Sequence, residues 1–164
     1  MDKTEIVDPQ VLESLRKNNI KFQVFECDED SADTYTFCDK YGFPLSESAN
    51  TIIIAGKGEQ ITYAACVALA TTKLDVNKKV CQLLGVKKAS FATQEQTMHE
   101  TSMKIGGVTV FGIENMPVFV DSKVINNGQI VMGGGNRISK VLLDPHELLK
   151  LPNVQIVEAL AIMK

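Results

Sequence analysis

Histidine is scarce in this chain: His99 and His146 are the only two, and neither falls in a Ser/His/Asp order. With no Gly-x-Ser-x-Gly elbow either, a conventional hydrolase triad has no support. The four cysteines, Cys27, Cys38, Cys66 and Cys81, form no Cys-x-x-Cys pair and have no histidine at ligand spacing, so a zinc site lacks its close ligand pairs. No Gly-x-x-x-x-Gly-Lys-Ser/Thr phosphate loop occurs. No apolar run reaches the roughly 18 residues that span a bilayer. The opening MDKTEIVDPQ is acidic and polar, unlike a secretory signal. A soluble cytoplasmic protein without structural disulfides is the expectation. Cys66, inside an apolar run, reads as a small core residue rather than a nucleophile.

What is present suits one globular domain. The 164 residues are 45% hydrophobic, and glycine and proline are not enriched enough for a disordered polymer. The net charge of −3 argues against an extended nucleic-acid surface, yet its distribution is uneven. Residues 1–50 carry 5 Lys and Arg against 11 Asp and Glu, whereas residues 51–164 carry 12 against 9. Gripping only the end of an RNA needs few phosphate contacts and no high pI. Solubilisation of the N-terminal third explains the acidic bias equally well.

Hydrophobic periodicity and capping residues divide the chain into short elements. DPQVLESLRKNN predicts a helix with Asp8 as cap, Pro9 in the first turn, and Val11, Leu12 and Leu15 on one face. KFQVFEC alternates like a half-buried strand, and SADTYTFCDKYG predicts a helix capped by Ser31 or Asp33 and ending at Gly42. NTIIIAGKGEQITYAACVALA reads as a hairpin, with Gly56-Lys57-Gly58 supplying positive-φ turn positions. LDVNKKVCQLLG predicts a helix starting at Leu74 or Asp75 and stopping at Gly85, and TQEQTMHETS another capped by Thr93. MPVFVD, GQIVMG and RISKVLL read as strands. Asp144-Pro145-His146-Glu147 has the spacing of a capping box before a helix HELLK, and VQIVEAL reads as a final strand. Short helices between hairpin-linked strands predict an α+β fold with a mostly antiparallel or mixed sheet.

Glycine carries the remaining chemical signal. VMGGGNRIS lacks dinucleotide-loop spacing and precedes a strand-like segment rather than a long helix. In IGGVTVFG, Gly106 and Gly107 remove side chains at the head of an apolar segment. That pair either makes a tight turn or exposes backbone N–H and C=O groups to a ligand.

Taken in order, NTIIIAGKGE, TTKLDVNKKVCQLLG, IGGVTVFG, MPVFVD, GGGNRISK and VQIVEAL resemble the YbaK family of aminoacyl-tRNA editing domains, including the ProX-type trans-editing deacylases. The resemblance spans roughly residues 10–160. It implies a compact α+β domain whose sheet curls into a distorted barrel. It also implies hydrolysis of the ester joining a wrong amino acid to the terminal adenosine of a tRNA, without metal or nucleotide cofactor. Partners would be the tRNA acceptor end and an aminoacyl-tRNA synthetase, with no membrane or DNA. At 164 residues with no synthetase attached, the chain looks like a free-standing member.

Site residues follow from the same resemblance. Gly106 and Gly107 would form the catalytic loop that positions the ester carbonyl and water, helped by the neighbouring ribose hydroxyl. An ester needs little activation, so orientation and charge stabilisation suffice. Thr109 and Val110 would border a pocket for a small amino acid. Gly133, Gly134 and Gly135 would form its second wall, with Arg137 or Ser139 nearby; a tight strand connection with a solvated Arg137 is the plain alternative. Asp121 matches a family position but reads as a cap for the next turn.

Two departures from the family stand out. Asn50-Thr51 replaces the common Lys-Thr, whose lysine reaches the terminal phosphate; some relatives carry asparagine there. An amide brings no charge, so Lys73, Arg137 and Lys140 become candidate cations, and Asn50 itself reads either as a ligand group or as a plain strand residue. Val110 stands where relatives end a Gly-x-x-x-Pro loop, which restores an N–H and loosens φ. A catalytically silent tRNA-end or synthetase-associated binding module is therefore the rival reading.

Overall fold

The computed structural model describes residues 3–164. Asp8 caps α1 (Pro9–Lys17) by accepting from the Gln10 N–H at 2.9 Å, with Pro9 in the first turn. β1 (Gln23–Glu26) and α2 (Thr34–Tyr41) follow, and α2 stops at Gly42, whose φ of 76° only glycine adopts freely. The long hairpin β2 (Ala49–Lys57) and β3 (Ile61–Leu69) leads to β4 (Thr72–Leu74). A π-helical turn (Val76–Val80) then runs into α3 (Cys81–Leu84), β5 (Lys88–Phe91) and α4 (Gln94–Thr101). The remainder is β6 (Val118–Asp121), α5 (Ser122–Ile125), β7 (Ile130–Gly133), β8 (Ser139–Leu143), a 3-10 segment (Pro145–Lys150), β9 (Val154–Val157) and β10 (Ala161–Met163).

Three sheets result. β5-β2-β3-β6-β9 is mixed: β5-β2-β3 antiparallel, β3-β6-β9 parallel. β1-β8-β7 and β4-β10 are antiparallel. The fold is thus the α+β arrangement expected, with mostly antiparallel pairing. The curled barrel is not: none of the sheets closes on itself, and the strand pairing between the two larger ones is a single parallel bridge, Ser48 to Val131, among the described residues.

Period-two alternation distributes the strands' side chains. Ile53 of β2 joins Ala65 and Val67 of β3 and Val118 and Val120 of β6 in the main core, which also takes Met132, Val141 and Leu143 from the other sheet. Ile52 and Ile54, with Ala64, Cys66 and Phe119, face the opposite side and pack against Val80, Leu84 and Leu160. A third cluster lies outside β8, where Phe25, Val131 and Leu142 meet Phe37, Tyr41 and Phe43. Phe25 meets Phe37, Tyr41 and Phe43 edge-on, Phe37 at 5.7 Å between centroids, while Phe37 and Phe43 stack.

Several sequence-based expectations are corrected. Gly56 lies inside β2 and neither Gly56 nor Gly58 has positive φ; a side chain at Gly56 would meet Thr62 at 2.9 Å and Leu84 at 3.0 Å, so close packing explains the glycine. Leu74 ends β4, and Asp75 caps the helical segment that follows. HELLK is 3-10 rather than α, and the Glu147 carboxylate accepts from the Lys21 N–H and Lys150 Nζ instead of closing a capping box. VQIVEAL breaks at Ala159, whose φ is 57°, into β9 and β10. Asp121 caps nothing: its buried carboxylate accepts from the Ala161 N–H at 3.3 Å and so ties β10 to β6.

Candidate active site

Where β2 and β7 part beyond the Ser48–Val131 bridge, a cavity of about 310 Å³ opens between them. Its walls are the first half of β2, including Asn50, Thr51 and Ile53, and Val131 to Gly133 of β7. Thr34 and Phe37 of α2, Gln94 and Thr97 of α4, and Ile105, Gly106 and Val108 close it, with Lys140 of β8. Lys140 is the single charged residue in this lining.

The loop before Val108 is held by its carbonyls. Gly107 N–H closes a turn onto Lys104 O at 2.9 Å. The Ile105 carbonyl accepts from Arg137 Nη1 at 2.9 Å, Gly106 from Lys140 Nζ at 3.2 Å, and Gly107 from the Gly135 N–H at 2.7 Å. The N–H groups of Gly106 and Val108 have no partner among the described residues. A loop with occupied acceptors and free donors suits an electron-rich ligand atom.

Glycine is required here by approach as well as by φ. A Cβ on Gly107 would lie 2.5 Å from the Asn136 nitrogen and 2.6 Å from its carbonyl carbon, and one on Gly133 would lie 2.6 Å from the Gly107 oxygen. Gly106 has a φ of 92°. The two glycine motifs therefore lie backbone to backbone. Gly134 accepts from the Asp8 N–H at 3.1 Å, and Gly135 abuts Asp8 and Val11, so the second motif is anchored on α1.

Lys140 is buried on the wall shared with Phe37. Its Nζ donates to the Ala32 carbonyl at 2.6 Å and to Gly106, and sits 5.2 Å from the Phe37 ring centroid. Burial lowers its pKa from the ordinary lysine value, partly offset by the Cys27 and Asp33 side chains. Arg137 clamps the loop from outside: besides Ile105 it donates to Glu29 O at 3.0 Å and pairs with Asp33 at 3.3 Å. Asn50 accepts from the Thr34 hydroxyl at 2.7 Å, which leaves its NH2 as a donor. The Thr51 hydroxyl oxygen is shut off from solvent and has no partner among the described residues.

Of the residues named from the sequence, Asn50, Thr51, Gly106, Gly133 and Lys140 line this cavity together. Gly107, Gly134, Gly135, Arg137 and Ser139 stand behind the lining and hold it; Ser139 is buried and donates to Asn136 Oδ1 at 2.8 Å. Thr109 and Val110 are buried in the interior away from the cavity; Val110 belongs to the main core and the Thr109 N–H contacts Met103 Sδ at 3.4 Å. Lys73, on β4, borders a separate surface cavity with Asp75 and Phe91. Val108, Phe37, Gln94 and Thr97 were not singled out from sequence. The one available signal was the i, i+3 spacing of Gln94 and Thr97 on α4.

Among the described residues no group of three or more His, Cys, Asp or Glu is placed to hold a metal ion. All four cysteines are free and buried, and burial pushes the Cys66 thiol up to about 12, far from a reactive thiolate. His99 and His146 are exposed and pair with neighbouring carboxylates, outside the cavity lining.

A glycine-walled cavity thus lies between a mixed sheet and a smaller antiparallel one in an α+β domain. Comparison with known proteins identifies the family. Residues 28–151 match the aminoacyl-tRNA editing domain, and the chain belongs to that family. YwhH of Bacillus subtilis (strain 168), an uncharacterised protein, is 30% identical over 131 residues, covering 79% of this chain and 81% of its own. Solved structures share the fold, among them the two that follow. The hypothetical protein APE2540 superposes with a TM-score of 0.82 at 18% identity, over 93% of this chain and 99% of that one. A protein described as a "putative trans-editing enzyme for prolyl tRNA synthetase" gives 0.77 at 20% identity, over 93% and 97%.

Proposed function

We propose that this protein is an aminoacyl-tRNA deacylase that acts in trans, in the cytoplasm, on the ester of a tRNA mischarged with a small amino acid. The carrying observation is the loop at residues 104–108. The carbonyls of Lys104 to Gly107 are engaged, while the N–H groups of Ile105, Gly106 and Val108, three residues of the cavity lining, have no partner among the described residues.

Hydrolysis adds water to the acyl carbon, places negative charge on the former carbonyl oxygen, and then expels the ribose oxygen, which takes up a proton. Two fixed N–H donors would stabilise that oxyanion without reorganisation, the kind of contribution worth about 2.7–4 kcal/mol per donor in other enzymes. Catalysis by backbone and by the adjacent ribose hydroxyl needs no histidine. The Asn50 amide would hold the terminal nucleotide through its free NH2. Membership of the editing family and the trans-editing description of a structural neighbour support this reading.

A second reading, a silent module that binds the tRNA end, rests on Asn50, a neutral residue that accepts from Thr34 and brings no charge to the cavity. Incubating the protein with a panel of mischarged tRNAs separates the two. Enzyme-dependent decay of at least one ester supports the deacylase. Binding of tRNA with every ester decaying at its protein-free rate supports the silent module.

A further inference from the structure

The functional reading does not use one feature of the cavity: its charge. An ammonium has three N–H donors, and the two that Lys140 commits go to the neutral carbonyls of Ala32 and Gly106. No carboxylate lies in ion-pair range of Lys140 among the described residues, because Asp33 is paired with Arg137. The residue is 7% exposed, so water compensates it little. A buried cation without a counter-ion is costly unless something supplies one. No Asp or Glu lines the cavity.

We infer that Lys140 is a specificity-determining residue and that the acyl group this cavity takes carries a carboxylate, as in a short acidic amino acid. This rests on the deacylase reading and narrows its substrate. The acyl side chain, rather than a nucleotide phosphate, is the matching anion. Lys140 Nζ holds the carbonyl of Gly106, the residue read as contacting the ester. A phosphate is separated from the acyl carbon by a ribose, whereas the acyl side chain branches from the carbon next to it.

Binding of non-hydrolysable analogues tests this without relying on turnover. The probes are 3′-amino-3′-deoxyadenosine carrying aspartyl or asparaginyl through a 3′-amide, each with and without a 5′-phosphate. The aspartyl analogue is expected to bind at least about tenfold tighter than its near-isosteric asparaginyl partner, and the ratio should approach one in Lys140→Met. Equal affinities in the wild type overturn the inference. So does a preference that survives in a folded Lys140→Met, or a Lys140→Met loss that follows the 5′-phosphate instead of the acyl carboxylate. Should Lys140→Met not fold, Lys140→Gln replaces it, and the wild-type ratio decides alone if neither folds. Hydrolysis of neutral esters combined with an aspartyl to asparaginyl ratio of one would remove the acidic substrate and leave the deacylase standing.

Discussion

Replacing Gly107 with alanine tests the backbone-to-backbone contact on which the site is built. The added Cβ would lie 2.5 Å from the Asn136 nitrogen and 2.6 Å from its carbonyl carbon, where ordinary contact begins at 3.4 Å. Both obstructing atoms are backbone, so the loops must separate by close to an ångström. That movement breaks the 2.7 Å bond from Gly135 N–H to Gly107 O and strains the 3.2 Å bond from Lys104 N–H to Gly135 O. The lost bond and the weakened one together cost about 1–2 kcal/mol, and forced overpacking adds about 1–3 kcal/mol, for roughly 3–4 kcal/mol in total. For a chain of this length that lowers Tm by roughly 8–15 °C. Gly128→Ala is the matched control, since a Cβ there meets nothing within 4 Å and its φ is not positive. Thermal unfolding followed by circular dichroism gives both values. A Gly107→Ala melting point within about a degree of wild type would refute the loop packing and with it the geometry of the site.

Other outcomes follow from the same geometry. Asn50→Lys is expected to tighten tRNA binding and steepen its salt dependence by about one phosphate contact, read from Kd against salt concentration; no change would mean that residue 50 does not face phosphate. Lys73→Ala should leave deacylation within about twofold of wild type, because Lys73 borders the other cavity; a large loss would relocate the acceptor end. The aspartyl preference should disappear as pH rises through the Lys140 pKa, below the ordinary 10.5, because the ammonium and not the amine pairs with an anion. The charged and titratable groups that act on Lys140 are Cys27, Cys38, Asp33 and Arg137. In the same window Lys140 should make the fold more stable as pH rises, since the unfolded chain then binds the extra proton. Constant preference from pH 7 to 11 would contradict both statements.

Capping chemistry was the most legible part of the sequence. Asp8-Pro9 and the Thr93 cap act over a few residues, and the structure forms both, Thr93 as part of a box with Gln96. Gly42 and Gly85 end their helices for the same local reason. What the sequence concealed depends on packing between distant elements. Gly56 looks like a turn glycine and is instead cleared for Thr62 and Leu84. KASF and AIM are three or four residues long and take up strand pairing only because β2 and β4 offer edges. In the site, the glycine motifs were visible as motifs, but not which glycine lines the cavity and which supports it from behind. Lys140 shows the limit most clearly. From sequence it is only one of three candidate cations for a phosphate, and nothing local shows that α2 covers its side of the strand and makes it a buried cation.

The most direct measurement of the central claim is the first-order decay of the ester bond in mischarged tRNA, with and without protein, for wild type and Gly106→Ala. Gly106 has positive φ, and a side chain there would crowd Arg137, so the substitution disturbs the free donors at the cavity wall. Faster decay with wild type that falls at least about a hundredfold in folded Gly106→Ala is the expected result. Decay at the protein-free rate for every ester, or equal acceleration by both proteins, would contradict it.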